Sequence, residues 1–150
     1  APSPPAASLR GRQVWLALAG ANGARSNATD ENEGLLTLEE VAALDLRGVE
    51  WVVLSACQSG LGEEWPREGS LGMRRAFRMA GARTVIASEW SVADESTRDW
   101  MRALYARPDS AHRSTGEALR QASRTVLAAR RKSKRTTHPF YWAAFTASGP

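Results

Sequence analysis

Cys57 is the only cysteine of the 150-residue chain and the residue best suited to nucleophilic chemistry. It follows the apolar run 51–56, which is continuous and β-branched, as in a buried central strand. Gly60 and Gly62 come shortly after it and would let backbone approach a ligand closely. Because open α/β sheets bind ligands beyond the carboxyl ends of their strands, a thiol there would face substrate. The spacing alone leaves a second interpretation open, namely an inert, buried thiol.

The strand-like run 84–88 ends in a second polar segment, residues 88–94, which contains Ser88, Trp90 and Asp94. If both runs are parallel strands, these side chains and Cys57 should gather at one edge of the sheet. A carboxylate at such an edge can pair with arginine in a bidentate manner, or with lysine as a point charge. Asp94 has an alternative role, since it also stands where a helix would begin and could cap it.

The elements that must position these residues alternate between strand-like and helix-like patterns. Strands are predicted over residues 14–19, 51–56, 84–88 and 141–146, and helices over 38–44, 69–80, 94–106 and 115–132. Thr37 and Glu40 have the spacing of a capping box at the start of the first helix. This alternation predicts an α/β fold with a mainly parallel sheet and helices on both of its faces.

The composition of the chain argues against several classes of function, including membrane-spanning and metal-binding proteins. Residues 1–12 contain a stretch rich in proline and alanine and are predicted to form a linker or flexible arm, with residues 13–150 forming one domain. No apolar run is long enough to span a bilayer, which predicts no membrane partner. One cysteine and two histidines fall short of a zinc site, so neither a metal nor another cofactor is expected. The free thiol suggests a cytoplasmic location.

Two further groups of residues have more than one interpretation. The cations Arg130, Arg131, Lys132, Lys134 and Arg135 form a run that could bind nucleic acid. A solvated helix end is favoured over that interpretation, because cations near a helix C-terminus also suit its dipole. Tryptophans 15, 51, 100 and 142 fall on strands or apolar helix faces and are expected in the core, whereas Trp65 is expected to be exposed.

The segment around the thiol, residues 54–62, resembles the cysteine motif of the CHAT family. These are caspase-like peptidases, often fused to tetratricopeptide repeats, in the same clan as separase, caspases and gingipains. Other segments that resemble the family, in the right order, are residues 17–22, 34–37, 44–48, 69–72, 76–77, 80–82, 88–94 and 138–145. The resemblance implies a caspase-like three-layer sandwich, of which this chain is the C-terminal part, incomplete at its N-terminal side.

The resemblance also implies cysteine-endopeptidase chemistry on a protein or peptide substrate. The Cys57 thiolate would attack the scissile carbonyl, and the Cys57 backbone N–H would help to bind the oxyanion. Asp94 lies in a segment similar to one that supplies the acidic S1 residue of separase. We therefore expect cleavage after arginine or lysine, with Trp90 and Ser88 also lining S1.

This sequence departs from the family's pattern at one point. The family's catalytic histidine belongs to a His-Gly motif, and this chain contains no such motif. His112 is expected in solvent, and His138 does not occupy the family's catalytic position. We therefore expect the histidine on an upstream segment or on a separate, processed chain, and expect the isolated 150 residues to be inactive. A tetratricopeptide-repeat region is a further expected partner. The alternative function is a catalytically silent interaction or signalling module of the same fold.

Overall fold

The computed structural model describes residues 15–18, 34–55, 67–106 and 114–150. Cys57, His112 and Trp65 lie outside these ranges, as does the predicted linker 1–12. The described residues form two compact units. The elements are strands β1 (Trp15–Ala17), β2 (Leu35–Thr37), β3 (Trp51–Leu54), β4 (Thr84–Ser88) and β5 (Phe145–Ser148), and helices α1 (Leu38–Ala43), α2 (Arg67–Met79), α3 (Asp94–Tyr105) and α4 (Thr115–Lys132).

The first unit contains the antiparallel pair β1–β2 and the helices α1 and α2. The predicted capping box is confirmed: Glu40 donates its backbone N–H to the Thr37 hydroxyl, and the Glu40 carboxylate accepts the Thr37 backbone N–H at 2.8 Å. Gly72 of α2 lets α1 approach, since a Cβ there would lie 3.3 Å from a methyl carbon of Leu38. Val41 of α1 is fully buried.

The second unit contains a three-stranded sheet of order β3–β4–β5, together with α3 and α4. β4 is the central strand and its residues Thr84–Ala87 are buried, which explains its β-branched, apolar sequence. β3 and β4 are parallel, as predicted, with Trp51 opposite Thr84 and Leu54 opposite Ala87. The structure is thus a mixed α/β fold, while the three-layer sandwich with helices on both faces stays a prediction.

The last strand differs from its prediction. Residues 139–141 form a 3-10 turn, and β5 begins only at Phe145 and runs antiparallel to β4. Pro139 has no N–H and a fixed φ, so it suits the first position of a helical turn better than a strand. The His138 imidazole completes the turn, because its Nδ1 accepts the backbone N–H of Phe140 at 3.2 Å.

The core of the second unit surrounds Trp100. Trp100 is 1% exposed, stacks on Phe145 with ring centroids 4.1 Å apart, and donates its indole N–H to the Ser123 hydroxyl. This confirms the core position predicted for Trp100, and Trp51 and Trp142 pack partly buried against the same cluster. In the described part of the chain, no helix is both long and apolar enough to cross a membrane.

Candidate active-site edge

The carboxyl ends of β3 and β4 lie side by side and define what we call the carboxyl edge. The parallel register pairs Leu54 with Ala87, so Ser55 and Ser88 follow at the same end of the two strands. Ser55 is exposed and Ser88 is half-buried. Of the predicted site residues, Cys57 comes two positions after Ser55 in the sequence and lies outside the described residues.

Trp90 stands just beyond the end of β4 with its ring held in place. Its indole Nε1 donates a hydrogen bond of 3.0 Å to the backbone carbonyl of Phe140. The two rings stack with centroids 6.3 Å apart and an interplanar angle of 20°. Both remain accessible, Trp90 at 37% and Phe140 at 41% exposure. A preorganised aromatic surface therefore forms at the carboxyl edge, where ligands of α/β sheets bind.

Phe140 is the residue of this surface that the sequence did not predict. It lies fifty positions from Trp90 and reaches it through the 3-10 turn. The rings of Phe140 and Tyr141 form a T-shaped pair with centroids 5.3 Å apart, and the Arg130 guanidinium lies 4.2 Å above the Tyr141 ring. The one available signal was the proline before Phe140, which marks a turn capable of exposing an aromatic side chain.

Asp94 is exposed at the first position of α3. The N-cap is Ala93, which has no side-chain capping bond, so the alternative in which Asp94 caps α3 is wrong. A carboxylate in the first helical turn is still favoured by the positive end of the dipole. Asp94 is therefore a solvent-facing negative charge that follows Trp90 by four positions.

The neighbouring carboxylates are already engaged. Glu95 accepts a hydrogen bond of 2.9 Å from Arg135, and this bond, with the positive charge of Arg135, lowers the pKa of Glu95. Glu89 donates its backbone N–H to the Ala144 carbonyl at 2.8 Å, and its carboxylate accepts the Thr146 hydroxyl. These bonds tie the residues after β4 to the turn that follows α4 and to the start of β5, which steadies the backbone around Trp90.

His138 is used structurally at this edge. Its Nδ1 accepts the Phe140 N–H, so the ring helps to hold the aromatic surface in place. That His138 is not the catalytic base stays a prediction. The other histidine, His112, lies outside the described residues.

These features belong to an α/β domain with a polar and aromatic edge, and the comparisons with known proteins define its family. The CHAT domain model matches residues 9–150, so the chain belongs to the CHAT family, a caspase-like, protease-related family of the cysteine peptidase-like clan. The chain is similar to tetratricopeptide repeat protein 28 of Mus musculus, with 34% identity over 121 residues, and to its Homo sapiens counterpart, with 32% over 117 residues. Each match covers 78% of this chain but only 4% of the relative. No solved structure matches the chain.

Proposed function

We propose that this chain carries the nucleophile of a cysteine endopeptidase that cleaves proteins after a basic residue. Cys57 is the proposed nucleophile, and Asp94, Trp90 and Ser88 are the proposed S1 residues. Membership of the CHAT family is the observation that carries the proposal. The catalytic histidine is proposed to come from a segment outside this chain, and a tetratricopeptide-repeat region is proposed as a partner because the relatives are named for that repeat.

The parallel register of β3 and β4 supports the proposed position of the nucleophile. Ser55 follows β3 at the carboxyl edge, and two residues of chain span at most about 7 Å. Chain connectivity therefore limits how far the Cys57 backbone can lie from the end of β3. The substrate segment would be bound between that point and the residues that follow β4.

The proposed chemistry is two-step acyl transfer. The histidine takes the Cys57 proton, and the sulfur attacks the scissile carbonyl carbon to form a tetrahedral oxyanion, to which the Cys57 backbone N–H donates a hydrogen bond. Collapse breaks the C–N bond, and the histidine gives its proton to the leaving amine. Water then adds to the thioester with the histidine as base, releasing the carboxylic acid and the thiol.

Substrate selection would depend on Asp94 and Trp90. A carboxylate can accept two hydrogen bonds from an arginine guanidinium, while the accessible face of an indole attracts the same cation. Because Arg135 already engages Glu95, Asp94 is the carboxylate of this helix start that is left to pair with substrate. A cytoplasmic location belongs to the same proposal, since an unpaired single thiol persists best in a reducing compartment.

The test is a cleavage assay of the longest natural polypeptide that contains this chain. Peptides differing only at P1, with arginine, lysine or alanine, are compared for the parent, Cys57→Ala, Asp94→Asn and Asp99→Asn. We expect no cleavage by Cys57→Ala, and we expect Asp94→Asn to lower the preference for arginine over alanine by about 10- to 100-fold, the effect of losing a charged hydrogen bond. Asp99, a carboxylate on the same helix, is the matched control and should leave the preference unchanged.

A catalytically silent interaction module is the second candidate. Two observations favour it. The relatives are named for their repeats and not for a peptidase activity, and this chain contains no His-Gly motif. An inactive parent polypeptide whose Cys57 also fails to react with a small alkylating agent would support this candidate. Unchanged P1 preference in Asp94→Asn would instead remove only the S1 assignment.

A further inference from the structure

Three exposed cations stand at the end of helix α4 and in the turn after it, namely Arg131, Lys132 and Lys134, which we call the basic turn. Within the described residues, none of their side chains makes a hydrogen bond or an ion pair. The two other cations of the same run point to internal partners. Arg130 donates to the Thr136 carbonyl at 2.7 Å and covers Tyr141, and Arg135 pairs with Glu95. Of the five cations at positions 130–135, Arg130 and Arg135 thus make contacts within the fold, and the three of the basic turn are exposed to solvent.

The cations of the basic turn are not required to cap α4. Ser133 satisfies the Ala129 carbonyl through both its backbone N–H and its hydroxyl, at 3.0 and 2.9 Å. The N–H of Lys134 bonds to the Arg131 carbonyl at 3.1 Å, and the N–H of Arg135 to the Arg130 carbonyl at 3.0 Å. These backbone bonds form a Schellman motif, which closes a helix without any charged side chain.

Lys134 occupies a backbone conformation that favours glycine. Its φ is 54°, and it is the one non-glycine residue with positive φ in the described part of the chain. This is the C′ position of the Schellman motif, where glycine is the usual residue because a Cβ is strained there. The dipole of α4 accounts for cations in its last turn, but it does not account for a strained lysine beyond the helix. Strain retained at a residue whose side chain makes no hydrogen bond or ion pair points to a function of that side chain.

We propose that the basic turn is a docking site for a short acidic segment of a partner protein. Three positive charges that make no ion pair within the described residues are complementary to a few closely spaced carboxylates, which would both pair with them and relieve their mutual repulsion. The proposal does not depend on the Cys57 chemistry, because the basic turn would serve an active peptidase as a substrate-docking site and would equally serve a silent interaction module.

The surroundings favour a short peptide over nucleic acid. The hydrogen bond to Glu95, together with the negative charges of Glu95 and Asp99 of α3, raises the pKa of Arg135, so both carboxylates lie close to it. A nucleic-acid strand carries a phosphate on every nucleotide, so a strand crossing the basic turn would extend toward these carboxylates and be repelled. A peptide can end its run of carboxylates where the cations end.

The test uses the 150-residue chain and a fluorescein-labelled peptide in which four glutamates alternate with serine and glycine, followed by fluorescence anisotropy. Lys134→Gly is the decisive variant, because it removes one charge and the backbone strain together. We expect the Kd to rise about threefold, the effect of one exposed ion pair, while Tm rises by about 2 °C. Raising the ionic strength from about 0.01 M to about 0.1 M should weaken parent binding and reduce the difference between the two proteins.

Arg75→Gln is the matched control, since Arg75 is an exposed cation of α2 and its loss changes the net charge equally. It should leave the Kd unchanged. Equal weakening by Arg75→Gln would mean that only net charge matters, and would overturn the proposal. Three other results would also overturn the proposal. They are no binding of the peptide, an unchanged Kd in Lys134→Gly, and tighter binding of a single-stranded oligonucleotide with the same number of charges. None of these outcomes depends on cleavage activity.

Discussion

The two ends of the β3–β4–β5 sheet have opposite character. At the amino end, Gly149 lies so close to the start of β4 that a Cβ would be 2.7 Å from the Arg83 carbonyl oxygen. Trp51 is half-buried there and donates its indole N–H to the Thr115 hydroxyl at 3.0 Å. At the carboxyl edge, Trp90 makes an equally long hydrogen bond, but it and Phe140 keep much of their surface exposed.

The difference in exposure between the two ends distinguishes residues that stabilise the sheet from residues that are accessible to a ligand. Both ends contain a tryptophan with a satisfied N–H, so residue type and hydrogen bonding do not distinguish them. Burial does, because the hydrophobic contribution of a side chain follows the area removed from water. Substitutions at the amino end should therefore change stability, and those at the carboxyl edge should change binding more than stability.

The largest expected effect on stability is that of Gly149→Ala. The new methyl group would meet the Arg83 carbonyl and the Thr84 hydroxyl, at 2.7 and 2.8 Å, so the end of β5 must move away from β4. We expect a loss of about 2 kcal/mol in the free energy of unfolding, measured by urea denaturation. Gly116→Ala in α4 is the matched control, with nothing within 4 Å of the new Cβ, and should stabilise by about 0.5 kcal/mol. Equal effects at the two glycines would contradict the close packing of the amino end.

Replacing each tryptophan with phenylalanine compares the two ends directly. Trp51→Phe removes the hydrogen bond to Thr115 and part of the contact with Tyr105, whose ring centroid is 6.3 Å away. We expect it to lower the free energy of unfolding by about 1 kcal/mol. Trp90→Phe leaves the exposed backbone carbonyl of Phe140 without its partner, but water can bind there instead. The loss in the free energy of unfolding should therefore stay below about 0.5 kcal/mol. A larger loss for Trp90→Phe than for Trp51→Phe would refute the assignment of the two ends.

The smallest effect is a pH dependence at the carboxyl edge. Arg135 lowers the pKa of Glu95 below its ordinary value of 4.5, so the unfolded chain binds more protons than the folded one in that region. The stability from this pair is therefore complete above pH 4.5 and is lost as the pH falls through the lower, folded pKa. The Tm difference between the parent and Arg135→Gln should shrink from about pH 7 to about pH 3. Arg124→Gln, which removes an exposed cation of α4, should show no such change; a constant difference for Arg135→Gln would contradict the pairing.

Elements with local signals were predictable from the sequence. The helix predicted over 115–132 has those bounds in the structure, because the Ser114 hydroxyl accepts the Glu117 N–H at its start. The capping box of Thr37 and Glu40 is equally local. The last strand was placed too early, because aromatic residues at 140–142 have high strand propensity while the proline and the cap of His138 favour a turn.

The candidate site was less predictable because its parts are distant in the sequence. Ser88, Trp90 and Asp94 follow one strand and could be grouped by their spacing. The contact of Trp90 with Phe140 depends on β5 returning beside β4, and no local pattern encodes that pairing. The roles of Cys57 and Asp94 stay predictions.

Thr37 belongs to two elements at once. It pairs with Trp15 as the last residue of β2, and it caps α1, whose first residue comes next. No linker separates strand from helix, so neither can rotate independently of the other. A single residue inserted after Thr37 would turn the apolar side of α1 by about 100° and separate the hydroxyl from the N–H that it binds. This junction should therefore reject changes in length that an ordinary surface loop accepts.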